Sequence, residues 1–197
     1  MRQRFTAPLL LCLLILGQFI LSTAFAQSDL DDEAKSLIVM VNGYWGDSES
    51  LGAGIVFGAQ RGRLYIATAD HVIRPRENNF QEVETVEVEF FFRPGEVFTA
   101  EVLRPLSEGL DLAVISMPIE GTDIFPSQFP FHRFGDNFVL ERSDQMFTVG
   151  QGGGRAWNTL RGLVNILENE EGFIDLQFSD VTRGDSGGAV FSEAGEL

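Results

Sequence analysis

The stretch Gly184-Asp185-Ser186-Gly187-Gly188 places one serine among glycines, close to the end of a chain of 197 residues. Glycine accepts the positive φ angles of a tight turn and lets another molecule approach the backbone. Such a turn can direct the amides of Gly184 and Ser186 at one point beside the hydroxyl, as in an oxyanion hole next to a nucleophile. The alternative is a glycine-rich surface turn. Because a hydroxyl is a weak nucleophile near neutral pH, the first interpretation requires a histidine base and an orienting acid.

The sequence contains two histidines in different settings. His71 follows the run Tyr65-Ile66-Ala67-Thr68-Ala69, where a strand of small and apolar residues ends in a turn. Small residues let the backbone pack closely, and the imidazole can then project from the strand end into a cleft. His132 lies in a proline-rich segment with no acidic or glycine-rich motif beside it, and we interpret it as a surface or packing residue.

Asp111 is the candidate acid, because it opens the apolar run Leu112-Ala113-Val114-Ile115. We expect its carboxylate to be buried, which costs several kcal/mol unless the group is hydrogen-bonded. An N–H of a histidine would supply that bond and fix the tautomer of the imidazole. The alternative is an aspartate that caps a strand or a turn.

Short β-rich runs separated by turn residues occupy most of the chain, and no long helical period interrupts them. Val86, Val88 and Phe90 alternate with acidic residues, which is typical of a half-buried strand. This pattern predicts an all-β barrel or sandwich. The predicted strands are Leu37–Val41, Leu51–Phe57, Leu64–Ala69, Val83–Phe92, Val97–Leu103, Leu112–Met117, Met146–Val149, Leu160–Leu167, Phe173–Phe178 and Ala189–Phe191.

The segment from Pro118 to Phe138 is rich in proline and phenylalanine, which predicts a connector between two β modules that packs onto one of them. We expect its aromatic residues to fill a core rather than to form a ligand cage. They are Phe125, Phe129, Phe131, Phe134 and Phe138.

The first 26 residues have the pattern of a cleaved secretory signal peptide: a basic start, a short apolar run and Ala24-Phe25-Ala26 at the end. A membrane anchor is the alternative, but the apolar run is short for a spanning helix. Cys12 is the only cysteine and would be removed with this segment. An exported chain without cysteine has no disulfide, thiol nucleophile or zinc-thiolate site. We expect a periplasmic or secreted protein that needs no metal or other cofactor.

The charge of the chain is strongly acidic. Removal of Arg2 and Arg4 with the signal peptide leaves 12 basic residues against 29 acidic ones, so the net charge changes from −15 to −17. Such a surface repels nucleic acid and anionic lipid, and neither is an expected partner. It either favours basic substrates or simply keeps an exported protein soluble. The sequence does not indicate an oligomeric state.

Four segments together resemble the trypsin-like serine peptidases of the chymotrypsin fold, and in particular the exported HtrA-like proteases of bacteria. The segments are Gly52-Ala53-Gly54-Ile55-Val56-Phe57, Thr68-Ala69-Asp70-His71-Val72, Asp111-Leu112-Ala113-Val114 and Gly184-Asp185-Ser186-Gly187-Gly188-Ala189. The resemblance implies two antiparallel Greek-key β-barrels with the active site between them. It also implies that Ser186 attacks the substrate, His71 transfers the proton, Asp111 orients His71, and the amides of Gly184 and Ser186 bind the oxyanion.

On this resemblance we divide the chain into a signal peptide (1–26), a loose polar arm (27–36), a first barrel (37–118), a connector (119–138) and a second barrel (139–197). Family members normally continue for several strands after the serine, so the second barrel is expected to be incomplete and the chain to be a fragment. Asp180 precedes Ser186 by six residues, where trypsin-like enzymes place the base of the primary specificity pocket. It is therefore either a substrate-binding residue selective for arginine or lysine, or a turn aspartate.

Asp185 departs from the HtrA pattern, which usually has asparagine before the serine. In animal trypsins the aspartate pairs with a new amino terminus, and no matching cleavage sequence occurs here. We expect Asp185 to pair with Arg183 or Arg155, or to remain solvated. The loop Gln151-Gly152-Gly153-Gly154 lacks the lysine of a phosphate-binding loop and is interpreted as the end of a hairpin near the cleft.

The motifs together predict a serine endopeptidase that acts on proteins or peptides through an acyl-enzyme intermediate. One alternative is a trypsin-fold module that binds peptides or partner proteins without cleaving them. Another is a purely structural β domain, which would leave the joint occurrence of the three motifs unexplained.

Overall fold

The computed structural model describes residues 32–105, 110–131, 140–154, 156–170 and 172–195, and its regular structure is almost entirely β. The described residues contain two short α-helices, α1 (residues 32–37) and α2 (Asp70–Ile73), besides short 3₁₀ turns. The strands are β1 (Ile38–Trp45), β2 (Ser48–Gln60), β3 (Arg63–Thr68), β4 (Thr85–Phe90), β5 (Val97–Pro105), β6 (Ala113–Pro118), β7 (Gln145–Gly150), β8 (Asn158–Ile166), β9 (Asp175–Phe178) and β10 (Val190–Ser192).

The first six strands form a closed barrel in the order β1-β2-β3-β6-β5-β4, and every neighbouring pair is antiparallel. Strand β3 lies beside β6 rather than β4, so the connection from β3 to β4 is a Greek-key crossing. The side chains of Val86, Val88 and Phe90 are buried, whereas Glu87 and Glu89 between them remain partly exposed. The alternation predicted for β4 therefore distinguishes the side chains that face the interior of the barrel from those that face outward.

The remaining four strands form a second antiparallel sheet in the order β10-β7-β8-β9. This order is again that of a Greek key, because the last strand returns beside the first. In the described part of the chain this sheet does not close into a barrel. The predicted all-β fold of the chymotrypsin type is confirmed, with one closed barrel and one open sheet.

Phenylalanines of the connector pack against the barrel. Phe129 is 5% exposed, and its ring centroid lies 5.9 Å from that of Phe90 and 5.7 Å from that of Phe92. Phe131 stacks on Phe129 at 5.8 Å. The predicted packing role thus applies to these two residues, whereas Phe125 is exposed. Phe134, Phe138 and His132 lie outside the described residues.

The end of the expected loose arm is ordered instead. Residues 32–37 are helical, and Ala34 and Leu37 are buried in the core because they lie three residues apart, on one face of the helix. The Lys35 ammonium lies 5.5 Å from the centroid of the Phe91 ring. The signal-peptide prediction concerns residues 1–26, which lie outside the described part. Among the residues that are described, no helix is both long and apolar enough to cross a membrane.

Candidate active site

His71 lies in α2, the short helix that begins two residues after β3 ends. Val72 and Ile73 anchor this helix in the core, and the buried hydroxyl of Ser50 donates a hydrogen bond of 2.5 Å to the carbonyl of Val72. The polar side of the helix carries His71, whose side chain is 51% exposed. Because the face of α2 that carries Val72 and Ile73 is buried, the imidazole of His71 points outward. The sequence predicted such a projection of His71 from the end of the preceding strand.

An ion pair within and just after α2 supports the same turn. The guanidinium of Arg74 donates three hydrogen bonds of 2.7–3.1 Å to the carboxylate of Asp70. These bonds are the main reason why the pKa of Arg74 is raised above its usual value. The carboxylate of Asp70 is thus bound to Arg74. A different carboxylate contacts the imidazole of His71.

That carboxylate is Asp111. Its Oδ2 lies 2.5 Å from Nδ1 of His71, and its Oδ1 accepts a hydrogen bond of 2.8 Å from the backbone amide of His71. The two residues meet because β3 pairs with β6, with Thr68 opposite Ala113 in the register. An ionised carboxylate only accepts hydrogen bonds, so this contact requires the tautomer in which Nδ1 carries the proton and Nε2 does not.

Asp111 is not buried as the sequence analysis expected. Its side chain is 56% exposed, so water shares the solvation of the charge with the two N–H groups. The apolar run after Asp111 does enter the core, beginning with Ala113. The position two residues before β6 therefore keeps the carboxylate outside the barrel while the strand itself is buried.

Ser186 lies in a turn that packs directly against the first barrel. Its carbonyl accepts a hydrogen bond of 2.7 Å from the amide of Ala53 in β2. Gly187 has a φ of 82°, and a Cβ atom there would meet the carbonyl oxygen of Ala53 and the amide of Ala69. Only glycine fits this conformation and this space, so the glycine after the serine is required for the contact between the two halves.

One cavity of about 430 Å³ brings the predicted residues together. The Ser186 hydroxyl and the His71 ring are not joined by a hydrogen bond in the described structure, and such bonds are often long when no substrate is bound. The residues that line the cavity are Ile55, Ala67, Thr68, Ala69, His71, Asp111, Leu112, Ser186, Gly187, Gly188 and Ala189.

The amides of Gly184 and Ser186, the predicted oxyanion donors, have no hydrogen-bond acceptor among the described residues. Between them, the amide of Asp185 donates to the carbonyl of Thr182 at 3.2 Å, and further along the turn the amide of Gly188 donates to the carbonyl of Asp185 at 3.2 Å. The amides of Arg183 and Gly187 likewise have no acceptor among the described residues, so the turn does not distinguish the two predicted donors from these neighbours. Their role in binding an oxyanion stays a prediction.

Asp185 has partners that the sequence analysis did not identify. Its buried carboxylate accepts hydrogen bonds from the backbone amides of Gly152, at 2.8 Å, and Thr182, at 2.9 Å. The side chain of Arg183 instead donates to the carbonyl of Glu49 at 3.0 Å. Arg155 lies outside the described residues. The expectations that Asp185 pairs with Arg183 or remains solvated are therefore wrong.

The glycine-rich loop lies between β7 and β8, which form a hairpin, so its interpretation as the end of a hairpin is confirmed. Gln151 of this loop, which the sequence did not single out, forms side-chain hydrogen bonds to the first barrel. The side-chain amide of Gln151 donates to Oδ1 of Asn42 at 3.1 Å and to the carbonyl of Gly52 at 2.7 Å, which links the loop to the first barrel. A single polar residue beside glycines carries no pattern that would identify such a bridge.

Asp180 lies in the turn after β9, with an exposed side chain and a φ of 65°. It does not line the cavity that contains Ser186. Its role in substrate binding stays a prediction. Among the residues that the structure describes, no cluster of three or more His, Cys, Asp and Glu side chains could hold a metal ion.

A family model, that of the trypsin-like peptidase domain, matches residues 52–197. The match covers well over half of the chain, including His71, Asp111 and Ser186. The chain therefore belongs to the trypsin-like peptidase family. No curated protein sequence is significantly similar to it.

Solved structures of bacterial proteases share the fold. A serine endoprotease from Yersinia pestis has a TM-score of 0.66 and 22% identity, over 87% of this chain and 55% of its own. The HtrA-type protease AlgW, solved with a tripeptide, has a TM-score of 0.69 and 17% identity, over 87% of this chain and 52% of its own. The chain thus spans about half the length of these structures. At such low identity the likeness concerns the fold.

Proposed function

We propose that this protein is a serine endopeptidase that hydrolyses peptide bonds in proteins through an acyl-enzyme intermediate at Ser186. The observation that carries the proposal is the convergence of Ser186, His71 and Asp111 on one cavity. These residues come from three separate segments of the chain: the turn between β9 and β10, the helix α2, and the residues just before β6. Membership of the trypsin-like peptidase family supports the same chemistry.

In the first half of the proposed reaction, Oγ of Ser186 attacks the carbonyl carbon of the peptide while Nε2 of His71 accepts the hydroxyl proton. The carbonyl oxygen becomes negatively charged and is bound by the amides of Gly184 and Ser186. The C–N bond then breaks, and His71 gives its proton to the leaving amine. Asp111 stabilises the imidazolium that exists between these two proton transfers.

In the second half, water replaces the amine. His71 accepts a proton from the water as its oxygen attacks the ester of Ser186, and the same amides bind the second oxyanion. Return of the proton to Oγ releases the carboxylic acid and restores the enzyme. Removal of one oxyanion donor typically lowers the rate of such reactions by about 10²–10³-fold, so the Gly184 and Ser186 amides carry a large share of the proposed catalysis.

A fluorophosphonate probe on the full chain tests this proposal. We expect covalent labelling of the wild-type protein, and loss of labelling in Ser186→Ala and His71→Ala. Ser48→Ala and His132→Ala are matched controls that should label like the wild type, since Ser48 is an exposed serine outside the cavity and His132 is the second histidine. A folded wild-type protein that does not label would contradict the proposal and favour a binding module that does not cleave.

A further inference from the structure

A second cavity, of about 390 Å³, opens beside the turn of Ser186 and shares no lining residue with the cavity that contains Ser186 itself. Three segments meet there: the hairpin of β1 and β2, the 3₁₀ turn that follows α2, and the residue before Gly184. The cavity is therefore distinct from the proposed catalytic centre but borders the same turn. The residues that line it are Trp45, Ser48, Glu49, Leu51, Glu77 and Arg183.

The chain places this cavity within reach of a peptide bound at Ser186. Arg183 precedes Ser186 by three residues, so their Cα atoms are at most about 11 Å apart, at about 3.8 Å per residue. On the other wall, Leu51 precedes Gly52, and a Cβ atom at Gly52 would lie 2.9 Å from the carbonyl oxygen of Ser186. Because an extended peptide advances about 3.3–3.6 Å per residue, a substrate residue about two to four positions from the cleaved bond reaches the cavity.

The cavity combines an apolar wall with two carboxylates. Trp45 and Leu51 are partly buried, whereas Glu49 and Glu77 are exposed. In the described part of the chain neither glutamate forms an ion pair with a lysine or an arginine. The guanidinium of Arg183 donates to the backbone carbonyl of Glu49 at 3.0 Å rather than to a carboxylate. The lining residues thus carry two negative charges against one positive charge.

A lysine or arginine side chain has the chemistry that matches this lining. Its hydrocarbon stem packs on apolar surface while its charged end stays at the polar edge, and a cation is attracted to the face of a tryptophan ring. The net charge of the chain is −15, so the long-range field also attracts a cation. A carboxylate side chain would instead meet one cation, Arg183, and two like charges.

We propose that this cavity binds a lysine or arginine side chain of the protein substrate, and that Glu49 and Glu77 select its positive charge. The proposal rests on the proposed function of Ser186 and adds a substrate preference to it. It is independent of Asp180, which does not line the cavity. An exposed ion pair typically contributes a factor of about 1.4–5 in affinity, so the two glutamates together favour the charged side chain by about three- to tenfold.

Pairs of peptides that differ in a single charge test the proposal. Mass spectrometry of unfolded casein, digested by the full chain, identifies the best-cleaved site and thus a parent peptide. Each of the four positions on either side of the cleaved bond is then replaced by lysine or by norleucine, which has the same hydrocarbon chain without the ammonium group. We expect kcat/KM for lysine to exceed that for norleucine by about three- to tenfold at a position beyond the two that flank the bond. This ratio does not depend on the amount of active enzyme.

Variants connect the ratio to the cavity. The double variant Glu49→Gln, Glu77→Gln should lower it to about one, whereas Arg183→Gln should raise it, because the positive charge of the cavity is then removed. Added NaCl should lower the wild-type ratio, since salt screens exposed charges. Glu120→Gln is the matched control and should keep the wild-type ratio, because Glu120 is exposed in the turn beside Gly62, at the end of β2 farthest from the cavity.

A wild-type ratio near one at every position, or a lysine preference that the folded double variant retains, would overturn the proposal. Circular dichroism identifies the folded variants. If the double variant does not fold, a ratio that neither NaCl nor Arg183→Gln changes would overturn it equally. A folded wild-type protein that cleaves no peptide, whether or not it reacts with a fluorophosphonate, would instead contradict the proposed function.

Discussion

At the scale of single residues, the pairing of His71 with Asp111 predicts the effect of a minimal substitution. Asp111→Asn keeps the shape of the side chain but offers an N–H₂ group that cannot accept from His71. The imidazole would then favour the wrong tautomer, and we expect the rate of fluorophosphonate labelling near neutral pH to fall by about 10³–10⁴-fold. Asp47→Asn, at an exposed turn, should label at the wild-type rate. Equal rates for the two variants would show that Asp111 does not orient the base.

Gly187 is a second residue with a specific steric requirement. Gly187→Ala combines a positive φ with overlap against the backbone of Ala53 and Ala69. We expect a loss of about 1–3 kcal/mol in the free energy of unfolding, measured by urea denaturation, together with slower labelling of Ser186. Gly58→Ala should stay within about 0.5 kcal/mol of the wild type. An unchanged midpoint and labelling rate for Gly187→Ala would contradict the packing described here.

Local patterns in the sequence single out three candidate residues, but they do not show how the turn of Ser186 is held. His71, Asp111 and Ser186 each stand in a short local pattern of small, apolar or glycine residues. The carboxylate of Asp185 instead binds the backbone amide of Gly152, 33 residues earlier in the chain. Every residue except proline carries such an amide, so no residue type marks the partner. The exposure of Asp111 was missed for a related reason, since it depends on where β6 begins.

At the scale of elements, one buried hydrogen bond from the neighbouring strand β2 helps to position α2. Ser50→Ala removes the hydroxyl that donates to the carbonyl of Val72. We expect a loss of about 1–3 kcal/mol in the free energy of unfolding, because a buried carbonyl would lose its donor, and slower labelling because His71 lies on the same helix. Ser48→Ala, two residues earlier and exposed, is the matched control. The hypothesis fails if both variants have wild-type stability.

The strands themselves were well predicted, because each predicted run overlaps a strand of the structure. Alternation of apolar and polar residues is a local property that the sequence shows directly. The predicted ends of the strands were less accurate where polar residues extend a strand. Strand β2, for example, runs from Ser48 to Gln60, because it pairs with β1 on one side and β3 on the other. Helix α1 was missed because its two buried residues stand among charged ones and make only one turn of helical pattern.

At the scale of the whole molecule, we expect the proposed export to be visible in the mature amino terminus. The predicted signal peptide ends at Ala26, so protein from the periplasm or the medium should begin with Gln27. Amino-terminal sequencing or intact mass measures this directly. Replacing Ala24 and Ala26 with arginine should block cleavage, whereas Gln27→Asn should not. Full-length protein that remains in the membrane fraction would instead indicate an anchor.

The contact between the carbonyl of Ser186 and the amide of Ala53 has a consequence for the time at which the proposed active site can form. During synthesis the residues of the first barrel, including His71 and Asp111, leave the ribosome several seconds before Ser186, at the usual pace of translation. A growing chain therefore carries the proposed base and acid before it carries the proposed nucleophile. Even after its synthesis, the turn of Ser186 must pack onto β2 before its hydroxyl and the imidazole of His71 share one cavity. Under the proposed mechanism, a growing chain therefore cannot cleave itself before Ser186 has been synthesised and its turn has packed onto β2.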